Sequence, residues 1–140
     1  MHRHPLGRGR RLAAVCALIV LVGSVLPWWT VGGADGLPPI SGNAFEASGI
    51  LVLLAALATL ALVALPFASE RPTALDRWPS YLVVFGLAIV GYVVRVAGLI
   101  VEGPIVALRP DRAPGLFIVA VGLIGLARAT FEIYQEPELR

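Results

Sequence analysis

Four apolar stretches, each close to the length of a bilayer crossing, occupy most of the chain: residues 12–29, 44–66, 80–101 and 115–134. A hydrocarbon core about 30 Å thick needs roughly 20 mostly apolar residues at 1.5 Å rise each. The pattern predicts an all-α transmembrane four-helix bundle and leaves little of the 140 residues for anything else. Only 14% of residues are charged, with 58% hydrophobic and a mean hydropathy of +0.85, against about a quarter charged in soluble domains. One membrane domain over residues 1–140 is the economical organisation. Its connections are too short to hold an extramembrane catalytic module.

Charge sets the expected orientation. All eleven basic residues are arginine, a usage that points to a GC-rich bacterial genome and hence to a multi-pass protein of the bacterial plasma membrane. Arg3, Arg8, Arg10 and Arg11 cluster before the first stretch. With the amino terminus inside, Arg71, Arg77, Arg128 and Arg140 are also cytoplasmic, and only Arg109 and Arg112 face out. That asymmetry places both termini in the cytoplasm. It accounts for the net charge of +2 without nucleic-acid binding, which needs a basic face on a soluble surface. The bilayer itself is the expected partner.

The aromatics act as depth markers, Trp28 and Trp29 at the outer end of helix one and Trp78, Tyr81 and Tyr134 at the inner interface. Asn43 with Glu46 resembles a capping box opening helix two, and Pro66 with Pro72 closes that region. Pro79 and Pro114 suit helix starts, Gly103–Pro104 a stop, and the Gly-, Pro- and Ser-rich run 32–42 a loop. No small-x-small cleavage site precedes the bulky Trp28–Trp29 pair, so the first stretch is expected to remain as helix one. Cys16 stands alone and excludes an intramolecular disulfide; its surroundings make a poor lipobox.

Small residues are spaced for close helix packing. Ala13 and Ala17, and Gly125 and Ala129, are four apart; Gly91 and Gly98, and Gly115 and Gly122, are seven apart. Such spacing lets backbones approach where lipid offers no hydrophobic drive. Gly91, Gly98, Gly115, Gly122 and Gly125 together suggest a glycine seam on helices three and four. Arg95 is the sharpest single residue, within helix three and about two turns from its outer end. Two readings stand: an anion, headgroup or partner-charge site, or a side chain that snorkels outward or reaches Glu102 two turns along the same face. Arg128 and Glu132, four apart, read as an ordinary intrahelical pair.

Absences weigh more. No carboxylate lies mid-span, which disfavours proton-coupled export. The only histidines, His2 and His4, lie in the tail, so no pair can ligate a haem between helices. No nucleophilic triad or phosphate-cradling loop is present. No enzyme activity and no cofactor are expected.

Leu26-Pro27-Trp28-Trp29, followed by Gly32, Ser41-Gly42 and Gly49, resembles small bacterial four-helix integral membrane proteins of uncharacterised function in which LPW ends the first helix. The layout is also distantly similar to that of claudins, with four helices and a tryptophan-bearing first outer loop. The paired loop cysteines of claudins have no counterpart here, so that resemblance implies a layout and not a junction-forming role. Neither family supplies a catalytic residue. The leading expectation is a non-enzymatic accessory or structural protein acting through helix packing, with other membrane subunits or itself as partner. The alternative is a small transporter or lipid- or anion-binding protein with its site near Arg95.

Overall fold

A computed structural model describes residues 7–32, 36, 38–42, 49–68, 77–102 and 113–135. The chain runs α1(Arg8–Val25), β1(Trp29–Val31), β2(Ile40–Gly42), α2(Gly49–Ala68), α3(Trp78–Glu102) and α4(Pro114–Gln135). Helices make up most of what is described, as the apolar stretches predict.

Helix α1 stops at Val25 rather than reaching Trp29, and proline is the reason. A residue before proline is pushed out of the helical region, and Leu26 is extended at φ −74°, ψ 156°. The chain beyond it forms a hairpin that composition disguised as loop. Trp29 pairs with Gly42, Thr30 with Ser41 and Val31 with Ile40, antiparallel. Gly32, at φ 86°, permits the turn out of β1. A Cβ there would also lie 2.7 Å from the Pro38 carbonyl oxygen. At the other start, Pro114 is the first residue of α4, where its missing N–H costs nothing. The Asn43–Glu46 pair, Pro72 and Gly103–Pro104 lie outside the described residues.

The most extensive helix contact is α1 against α4; α2 packs on α1 and α3, and α3 touches α4 less. Helices α3 and α4 are long and apolar enough to cross a membrane, while the apolar run of α2, Gly49–Leu65, is shorter. Only 17% of the apolar stretch of α3 is buried, against 39% for α4. Large aliphatic side chains lie exposed on every helix, among them Leu18, Leu54, Val90 and Ile124. The interior hydroxyls are kept satisfied locally. Ser24 donates to the Val20 carbonyl at 2.7 Å, Thr59 to Ala55 at 2.9 Å and Thr130 to Leu126 at 2.8 Å, so none needs water.

Candidate functional site

The glycines of α4 meet α1. A Cβ on Gly115 would stand 2.6 Å from the carbonyl oxygens of both Gly23 and Leu26; one on Gly122 would stand 2.6 Å from Val20 Cγ2; one on Gly125 would collide with Cys16 Sγ. The relation is mutual. A Cβ on Gly23 would lie 2.7 Å from Val119 Cγ2, and one on Gly9 would lie 2.9 Å from the Ile133 backbone nitrogen. These pairs make an antiparallel seam in which α1 and α4 touch nearly backbone to backbone, lined also by the small residues Ala13, Ala17 and Ala129. Cys16 is buried within it.

Of the five glycines read as one packing face, Gly115, Gly122 and Gly125 gather against α1. Gly91 is buried on α3, and a Cβ on Gly98 would meet nothing within 4 Å. The seam therefore joins helices one and four, with α1 supplying the glycines Gly9 and Gly23.

One end of the seam is closed by a knot around Trp28. Its ring is 0% exposed, packed into the core. Nε1 donates to the Gly23 carbonyl at 2.9 Å, satisfying the one polar atom that burial would penalise. The ring meets Tyr92 edge-on, centroids 5.8 Å apart at 69°, and Tyr92 donates its hydroxyl to the Leu116 carbonyl at 3.0 Å. The Trp28 N–H donates to Gly42 at 2.7 Å and the Gly115 N–H to Pro27 at 2.9 Å. Thus α1, the hairpin, α3 and α4 all meet here, and an orphan N–H of the first turn of α4 finds its acceptor on another element.

Arg95 sits half-buried on α3, one turn beyond Tyr92 and hence toward this tryptophan end. Glu102 is the last residue of α3, and its side chain lies outside the described residues, as do the tail histidines.

The opposite end carries a feature that sequence spacing passed over. Arg8 and Arg11 at the start of α1 and Arg128 and Glu132 near the end of α4 surround a cleft of about 400 Å³, floored by Leu12 and Val15. Arg128 Nε donates to Glu132 Oε1 at 3.3 Å; the arginine side chain is 67% exposed and the glutamate 15%. Glu132 Oε2 is buried and has no hydrogen-bond partner among the described residues. The helices are held this close by Gly9, against Ile133. Helix α1 is antiparallel to α4, so its first turn must lie beside the last turns of α4. That consequence was available from the predicted topology. At the same end Trp78 and Tyr134 stack edge-on, centroids 5.1 Å apart. A largely apolar groove of about 560 Å³ runs between α2 and α3, lined by Ala58, Leu62, Leu65, Val83 and Val84 among others.

Among the described residues no three His, Cys, Asp or Glu side chains gather as a metal site. No family model, curated protein or solved structure matches the chain.

Proposed function

We propose that the chain is a multi-pass integral membrane protein of the bacterial plasma membrane. All four helices cross the bilayer and both termini face the cytoplasm. It acts as a non-enzymatic accessory component whose docking face is the open side of α3. The observation that carries the docking face is the contrast within the glycines. Those of α4 are consumed inside the bundle, while Cβ atoms on Gly86 and Gly98 of α3 would meet nothing within 4 Å. Val90, Val94 and Val101 stand exposed beside them. A second helix can approach most closely where side chains are smallest.

The membrane placement is supported by aliphatic side chains exposed on all four helices, a surface that water penalises and lipid does not. The interior hydroxyls bonded to carbonyls four residues back support it too, since backbone and side-chain polar groups in lipid must be satisfied internally. The arginine end, with Arg8, Arg11 and Arg128, suits the cytoplasmic interface.

Gentle extraction followed by native mass analysis tests the role. The expected result is a stoichiometric partner or a homo-oligomer, lost on Gly98→Leu or Gly86→Leu. A bare monomer in the wild type overturns the accessory role. Resistance of the protein to alkaline extraction tests the membrane placement separately. For the alternative site, Arg95→Ala should abolish binding of an anionic ligand; unchanged binding removes it.

A further inference from the structure

The arginine cleft is built from two helices locked together at Gly9 and Ile133, so its geometry belongs to the rigid seam. Three guanidiniums and one carboxylate line it, leaving a formal excess of two positive charges. Guanidinium forks match the paired oxygens of a phosphodiester. The carboxylate adds a second requirement. Glu132 Oε1 is engaged by Arg128, while Oε2, buried, accepts nothing from the described residues; a buried acceptor without a donor is costly. The fitting ligand is therefore anionic and also carries a hydrogen-bond donor beside its phosphate. The apolar floor, Leu12 and Val15, adds a third. One turn past Val15 on the same face of α1, Ile19 joins Phe117, Ile118 and Val121 of α4 around a purely apolar groove of about 320 Å³. Val121 and Arg128 are seven residues apart and share a face of α4. Charge at one end and an apolar track along the same helix pair describe an amphiphile.

We propose that the cleft seats one anionic phospholipid whose headgroup carries a hydroxyl, of the phosphatidylglycerol type. Arg8, Arg11 and Arg128 hold the phosphodiester, Glu132 Oε2 accepts from the glycerol hydroxyl, and an acyl chain lies along the α1–α4 groove. The site rests on the membrane placement argued above.

The test uses the full chain in mild detergent, with retention of added phospholipids of matched acyl chains read by native mass spectrometry. One phosphatidylglycerol per chain should be retained about thirtyfold more strongly than phosphatidylcholine, the equivalent of about 2 kcal/mol for two excess arginine charges beside an anionic headgroup. It should also exceed phosphatidylmethanol, which has the same charge and no hydroxyl. Arg8 and Arg11 are exposed and the Arg128–Glu132 pair stays intact without them, so Arg8→Gln with Arg11→Gln should keep the melting temperature while reducing phosphatidylglycerol to the phosphatidylcholine level. Glu132→Leu, which removes both acceptor oxygens, should erase the preference over phosphatidylmethanol and keep the preference for charge. Equal retention of the charged and zwitterionic lipids overturns the site, as does unchanged retention in the arginine pair. Stronger binding of phosphatidylethanolamine overturns the hydroxyl assignment. Displacement by millimolar glycerol phosphate would identify a soluble anion site in place of a lipid seat. Release of wild-type protein by alkaline carbonate marks failure of the membrane placement itself and is read independently of lipid retention.

Discussion

Helices α3 and α4 carry the same kind of residue to opposite ends. On α4, Gly115, Gly122 and Gly125 are pressed against α1, where an added methyl would strike carbonyl oxygens, a valine methyl or a sulfur. On α3, Gly86 and Gly98 face open space. Spacing alone does not separate the two cases. What separates them is whether the facing helix offers its own small residues at the matching heights, as α1 does with Gly9, Ala13, Ala17 and Gly23. A glycine marks where a backbone can approach; its partner decides whether one does.

The comparison is broken most severely by Gly115→Leu. Two backbone carbonyls stand where its Cβ must go, so the cost should exceed about 3 kcal/mol, seen as loss of a cooperative melt in detergent. An unchanged melt would mean that the seam is not close-packed. Trp28→Ala should follow at about 3–5 kcal/mol. Trp28→Phe, which keeps most of the ring but strands the Gly23 carbonyl, should cost about 1–3 kcal/mol. Equal effects of the two would show that the indole hydrogen bond matters at the knot and the ring volume does not. Tyr92→Phe removes one hydroxyl bond to Leu116 and should cost about 0.6–1 kcal/mol in the same melt. Least affected is Gly98→Ala, expected to leave the fold unchanged or more stable by up to about 1 kcal/mol through helix propensity. A loss comparable with that of the seam variant would place Gly98 in a contact within the bundle.

The helices were legible because each is a long apolar run between breakers, and Pro27 and Pro114 act on their own neighbours. The hairpin was not. Strands of three residues are too short to show the alternation that identifies a strand, and the prolines and glycines between them dominate the composition. The burial of Trp28 was hidden for a related reason. At a helix end an indole reads as an interfacial anchor, and nothing local shows that β2 and α4 will close over it. The glycine pairs announced close packing but not the helix they would pack on. Arg95 drew attention because charge within an apolar run stands out along the chain. The cleft draws its arginines from the first helix and the last, so it is visible only once the two are laid side by side.

The hydrogen bond from the Gly115 N–H to the Pro27 carbonyl also has a meaning in time. During synthesis α1 emerges first and α4 last, yet each is the other's principal neighbour. Until α4 arrives, the groove of small residues on α1 stands open to any passing helix, and the Pro27 carbonyl lacks this donor. Closing of the seam then has to wait until the other three helices have been made. A ribosome stalled before α4 would leave exposed the surface on which the finished protein most depends, ready for a quality-control protease to recognise.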